Sequence, residues 1–175
     1  HLAAAVGTPV LALFLATAQP WDTGPYMDGC LCLEPDMPCH PCGFDTTCPY
    51  ATNGQGSNPC RFKITVDTVF NHVREWLNNG AWTTPDQKDE ARAWITTLDR
   101  ENPGCMDLQS INGHDTDKRT LWIREQRRFL EPFLDNAHGT VEPLPKLPEP
   151  LRETMGHAVE QSAALLHLLI EQGTV

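Results

Sequence analysis

Six cysteines stand at positions 30, 32, 39, 42, 48 and 60, and a seventh, Cys105, follows alone. Thiols this dense can pair as disulfides, or as thiolates they can share a tetrahedral zinc ion. The stretch that holds them is broken by Gly24-Pro25, Glu34-Pro35, Met37-Pro38, His40-Pro41, Asn53-Gly54 and Asn58-Pro59, so it reads as turns and no helix of useful length fits. A segment so poor in regular backbone pairing needs cross-links to hold one shape. Disulfides among Cys30, Cys32, Cys39, Cys42, Cys48 and Cys60 are therefore expected, each contributing about 2 to 4 kcal/mol. Cys105, in the turn Asn102-Pro103-Gly104-Cys105, could tie the later part of the chain back to them.

Zinc is the alternative, and otherwise no cofactor is expected. Cys39-His40-Pro41-Cys42-Gly43 has the two-residue spacing with which two thiolates grip one ion, and Cys30 and Cys32 could complete the set. A thioredoxin-type use of Cys39 and Cys42 would need a strand before and a helix after, which Pro38 and Gly43 oppose. Over ten residues, the C-x2-C-x5-C run of Cys39, Cys42 and Cys48 resembles the cluster-binding spacing of WhiB-like iron–sulfur regulators. That family places its fourth cysteine well upstream and a Gly-Trp-Gly-Gly turn downstream. Here Cys30 and Cys32 stand too close and the turn is missing, so no cluster role carries over.

Upstream of the cysteines lies an apolar run from Leu2 to Ala18, and the first formal charge is Asp22. Ala16-Thr17-Ala18 has the small-x-small pattern of a signal cleavage site, while a helix from Leu2 to Ala18 falls slightly short of a bilayer's hydrocarbon core and extension to Trp21 closes the gap. A buried element of a soluble domain is the competing reading. The coincidence of this run with the cysteines points to a membrane-associated or extracytoplasmic place, where thiols are oxidised, with membrane contact through residues 2–21. His1 invites copper chelation by amine and ring, but only Leu and Ala follow it.

After Cys60 the apolar period becomes helical. Thr65 can cap, and Asn79-Gly80 can end, a helix with Val66, Val69, Phe70, Val73, Trp76 and Leu77 on one face. Thr84-Pro85-Asp86-Gln87 reads as the start of a second, running to Arg100 with Ala91, Trp94, Ile95 and Leu98 inward, so that the two form a hairpin. A third is predicted from Asp115 to Asn136 and a last from Leu151 to Gln172, separated by a proline-rich strap at 140–150. The expected fold is mainly α: a hydrophobic segment at 1–20, a cysteine cross-linked irregular segment at 21–62, and about four helices over 63–175.

The remaining polar groups assemble no catalytic signature. Arg119, Arg124, Arg127 and Arg128 concentrate on the third helix, where they can pair with this chain's many carboxylates. His157 with Glu160, His167 with Glu171, and Gly113-His114-Asp115 are ordinary surface pairs or a cap. There is no phosphate-binding glycine loop and no Gly-x-Ser-x-Gly elbow. A net charge of -10 opposes a broad nucleic-acid interface. The expected function is a non-enzymatic structural or accessory subunit, stabilised by disulfides and packing against other protein subunits of a membrane-associated or extracytoplasmic assembly. The alternative is a cytosolic zinc-binding regulatory or adaptor module, with an enzyme using His114 or Cys105 third.

Overall fold

The computed structural model describes residues 1–43, 47, 48, 50, 58–84, 90–99 and 105–134, together with 149, 150, 152–154, 156, 157, 160, 161 and 164. In chain order the elements are α1 (Leu2–Ala5), β1 (Leu11–Leu13), α2 (Pro20–Thr23), β2 (Leu31–Pro35), α3 (Cys60–Lys63), α4 (Val66–Asn79), β3 (Ala91–Leu98), β4 (Met106–Ser110) and α5 (Lys118–Leu134). Contacts divide the chain into two units, His1–Asp115 and Thr116–Val175.

The first unit is built on a four-stranded mixed sheet in the order β1-β2-β3-β4. β1 runs parallel to β2, while β3 runs antiparallel to both β2 and β4. The two interior strands are β2 and β3, and side-chain alternation sorts their residues between two faces. On one face Leu31, Leu33 and Ala93 form a buried apolar cluster, covered by Leu11, Ile64, Val69, Trp82, Ile95 and Ile111. Burying leucines of this size is worth about 1.5 to 3 kcal/mol each, which makes this face the main apolar store of the unit. On the other face Cys32 stands opposite Trp94 and Glu34 opposite Arg92. There the edge of Trp21, from α2, meets Trp94 with ring centroids 5.6 Å apart. Gly24 closes α2 where a Cβ would lie 2.5 Å from the Pro20 carbonyl oxygen and 3.0 Å from Met106 Cε.

The mainly helical expectation is overturned by this sheet. The helix expected from Thr84 to Arg100 is replaced, over its second half, by β3. Ala91, Trp94, Ile95 and Leu98 fit a helical stripe, but Arg92, Ala93 and Thr96 are buried as well, so the segment is enclosed on both faces. Such a strand loses its alternating signature, and the remaining signal is the β-branched run Ile95-Thr96-Thr97. The segment 21–62 likewise contains a central strand, β2, where the breaker pairs predict only turns.

The apolar run at the amino end forms no single helix. It breaks at Gly7, whose φ is 74°, and then supplies β1. Backbone bonds fix it to β2: Leu31 N–H donates to Val10 O, and Phe14 N–H to Leu33 O, both at 2.9 Å. Phe14 and Trp21 are buried. Among the described residues no helix is long and apolar enough to cross a membrane.

Helix α4 occurs where the caps predict it. Thr65 Oγ1 accepts from the Thr68 N–H at 3.0 Å, and Gly80 closes the helix with φ 69°. In the second unit α5 falls within the helix expected from Asp115 to Asn136. Of the strap at 140–150 only residues 149 and 150 are described, and they are helical; most of 151–172 lies outside the described residues.

Candidate functional site

Three features of the first unit could carry function: a buried ionic cluster, the cysteines, and the outward side of α4.

The ionic cluster grows from β2. Alternation that puts Leu31 and Leu33 into the apolar face necessarily turns Glu34 to the other, where it is fully enclosed. A carboxylate in that position needs partners, because burial without them costs several kcal/mol. Trp94 donates its Nε1–H to Glu34 Oε1 at 3.1 Å, Arg92 Nη1 lies 3.8 Å from the same oxygen, and His40 Nδ1 lies 3.4 Å from Oε2. Arg92 in turn reaches Asp36 Oδ1 through Nη2 at 2.8 Å. His40, itself 3 % exposed, and Asp36 both belong to the loop that follows β2. The cluster therefore clamps that loop onto the sheet, and its chemistry is the neutralisation of a buried charge.

All seven cysteines are free thiols, which corrects the expected disulfide bonds of Cys30, Cys32, Cys39, Cys42, Cys48, Cys60 and Cys105. The physical reason is that order in this segment comes from β2 and its hydrogen-bonded neighbours rather than from cross-links. Cys30 and Cys32, two residues apart, share one face beneath Trp94 and Thr96. Thr96 Oγ1 accepts from the Cys30 N–H at 2.9 Å and donates to the Met27 carbonyl. Burial, then the Cys30 thiol and the Glu34 carboxylate, push the Cys32 thiol far above its ordinary value. Cys32 is a core side chain of β2, and Cys39 and Cys42 of the expected zinc set belong to the loop that follows.

Cys39, Cys42 and Cys48 are half-buried, and Cys60 is buried in the first turn of α3. Cys42 N–H donates to Ala16 O at 2.8 Å, and His40 N–H to Met37 O at 3.1 Å, which fixes the loop carrying Cys39 and Cys42. Burial raises the Cys42 thiol, and so do Cys39, Cys60 and Cys48, in that order. Cys105 lies apart, at the start of β4, where its carbonyl accepts from Asp99 N–H at 3.0 Å. Among the described residues no three His, Cys, Asp or Glu side chains are already assembled around one point that could hold a metal ion.

Helix α4 has two apolar sides. Val69 packs on the sheet and His72 and Thr68 are buried beneath the helix, while Trp76 leans on Trp82 with centroids 5.6 Å apart. The expected single face thus splits. Val66, Phe70, Val73 and Leu77 turn outward, and Val66 is 84 %, Phe70 58 % and Leu77 70 % exposed. Arg74 lies over the Phe70 ring, 5.7 Å from its centroid, and Phe62 of α3 is exposed as well.

The other sequence candidates do not converge. The His114 ring stands 6.3 Å from Trp94, its backbone N–H donates to Ser110 Oγ at 2.9 Å, and Asp115 accepts from the Ser110 N–H, so this motif closes a turn. Arg119, Arg124, Arg127 and Arg128 fall on α5, and the first three are already engaged. His157 and Glu160 form an exposed pair at 3.8 Å, while His167 and Glu171 lie outside the described residues. His1 is the exposed residue preceding α1. Glu34, Arg92 and Asp36 were missed by sequence reasoning, and a lone Glu within the run Leu31 to Pro35 was the available signal.

Comparison with protein families, with curated proteins and with solved structures returns no match.

Proposed function

We propose that this chain is a non-enzymatic structural or accessory subunit that assembles with other protein chains through the outward side of α4. One observation supports this reading: an anchored helix presents Val66, Phe70, Val73 and Leu77 to solvent. Their spacing of four, three and four residues is that of a coiled-coil seam, so the surface suits an apolar helix of a partner. Covering side chains of this size is worth about 1.5 to 3 kcal/mol each, and because the buried side of α4 already fixes the helix backbone, binding has only side-chain ordering to offset. Residues 2–21 contribute less to such a contact than their composition suggests, because β1, Phe14 and Trp21 are taken up by the sheet. The assembly surface is accordingly α4, whichever side of a membrane the subunit occupies.

The test is site-specific photo-cross-linking in the native cell, with the reactive amino acid placed at Phe70 or Leu77 and, as a control, at Arg61 or Asn79. A discrete protein adduct from the first pair only, lost when Val73 is replaced by Asp, is expected. Absence of adducts from Phe70 and Leu77, or equal adducts from all four positions, overturns the reading.

A further inference from the structure

We infer that the chain seated on the outward side of α4 is a second copy of this protein, its α4 running antiparallel to the first across a two-fold axis. The inference rests on the assembly role proposed for α4 and names its partner.

The stripe is self-complementary. Val66, Phe70, Val73 and Leu77 are spaced four, three and four, so the order reads the same from either end of the helix. A two-fold axis level with the middle of the stripe sets Val66 of one chain opposite Leu77 of the other, and Phe70 opposite Val73, with the same two contacts repeated beyond the axis. Each contact joins a larger side chain to a smaller one. A parallel pair would set Phe70 against Phe70 and Val73 against Val73, overfilling one layer and leaving the next loose.

The charged border favours the same direction. Asp67 and Arg74 are both exposed, stand one heptad apart, and each follow a valine of the stripe, so they lie along one flank of it. The Arg74 guanidinium rests at the margin of the stripe, 5.7 Å from the Phe70 ring centroid. Its neighbour in the chain, Glu75, lies 3.8 Å from Nε and leaves the Arg74 side chain 52 % exposed. Antiparallel pairing brings this flank against its own copy, so Asp67 of one chain faces Arg74 of the other, twice. In a parallel pair it would meet the opposite flank, where Val69 packs on the sheet and Trp76 leans on Trp82. Exposed ion pairs add little affinity, and here they fix orientation. The fourteen residues of α4 span about 21 Å, and a net charge of -10 per chain adds long-range repulsion, so the dimer belongs among the weak interfaces.

The experiment is sedimentation equilibrium of the full, reduced chain in about 150 mM salt, from about 5 to 500 µM, the range in which a weak interface fills. Chain mass at the low end and twice that mass at the high end are expected. Val73→Asp, checked for folding by circular dichroism, should stay monomeric throughout. Asp67→Arg and Arg74→Asp each set like charges opposite one another at both ends of the seam and should raise the dissociation constant about tenfold. An equimolar mixture of these two variants should recover wild-type association, because every charge then meets its opposite; loss of folding cannot produce that recovery. A chain monomeric at every concentration overturns the inference, and a discrete cross-link from Phe70 to a different protein would then leave the assembly role of α4 standing, whereas absence of any cross-link removes both. A dimer that survives Val73→Asp uses another surface and overturns the inference as well. So does a dimer indifferent to the single charge reversals, or one that mixing fails to recover, since its helices do not pair antiparallel.

Discussion

Trp94 on β3 donates its indole N–H to Glu34 on β2 at 3.1 Å, a fully buried bond between residues sixty positions apart. It sits beside the backbone ladder of the same two strands and opposite the apolar cluster of Leu31, Leu33 and Ala93. One face of the sheet thus packs by exclusion of water, and the other by mutual satisfaction of charge. The second is the more fragile, because removing any member leaves a buried group without its partner.

Glu34→Ala should therefore cost about 3 to 5 kcal/mol, the range for breaking a buried ionic pair from one side. Glu34→Gln keeps an acceptor for Trp94 while discarding the charge shared with Arg92 and His40, and should cost less. Urea denaturation of the three proteins measures both. Equal stability of wild type and Glu34→Ala would show that the carboxylate does not hold the loop.

The Cys32 thiol gives a pH signature whose sign can be worked out. Its folded value lies well above the ordinary value of 9.0 because of burial, then Cys30 and Glu34. Below that ordinary value both folded and unfolded chains keep the proton and the contribution is fully present. Above it the unfolded chain ionises while the folded one does not, so stability declines as pH climbs toward the folded value. The slope for one proton is about 1.4 kcal/mol per pH unit. Urea midpoints measured across this alkaline range should fall less steeply in Cys32→Ala; identical slopes would show that Cys32 ionises freely.

The capped helix supplies a third check. Thr65→Ala removes the bond to the Thr68 N–H and should cost about 1 kcal/mol. Gly80→Ala places a Cβ on a residue with φ 69°, in open space, so its cost of about 1 kcal/mol would be conformational rather than steric. Thermal unfolding of the two single variants and the double variant should show additive losses, since the sites are at opposite ends of α4.

Legibility follows the range of the determining contacts. Helix α4 can be read because its caps, Thr65 and Gly80, act within a few residues. β3 reads as a helix because Ala91, Trp94, Ile95 and Leu98 satisfy a helical stripe, and only the sheet on both sides explains why Arg92 and Thr96 are buried too. β2 is hidden behind the breaker pair Glu34-Pro35, although Pro35 merely ends the strand. The cysteines read as cross-links, while the residues that hold the segment, Glu34, His40, Arg92 and Trp94, are ordinary in sequence and meet only after folding. The outward stripe of α4 is visible as apolar spacing, but its division into an inner and an outer side requires the position of the sheet.

The amino end yields the last prediction, and its direction differs from that of a detachable anchor. A segment that only tethers can be removed without loss of the domain, whereas β1 shares a parallel ladder with β2 through Leu11, Ala12 and Leu13. Leu11 also covers the Leu31 and Leu33 cluster, Phe14 is buried, and the Ala16 carbonyl accepts from Cys42. Deleting residues 1–18 would expose the β2 edge and uncover the apolar face, at about 1.5 to 3 kcal/mol for each large side chain released, against a typical net stability of about 5 to 15 kcal/mol. The truncated chain should lose its cooperative unfolding transition and aggregate through the bared strand. Circular dichroism and hydrogen exchange of the truncated and full-length proteins decide the matter. A truncated form that keeps protection of the β2 and β3 amides would show that residues 1–18 are a separate unit after all.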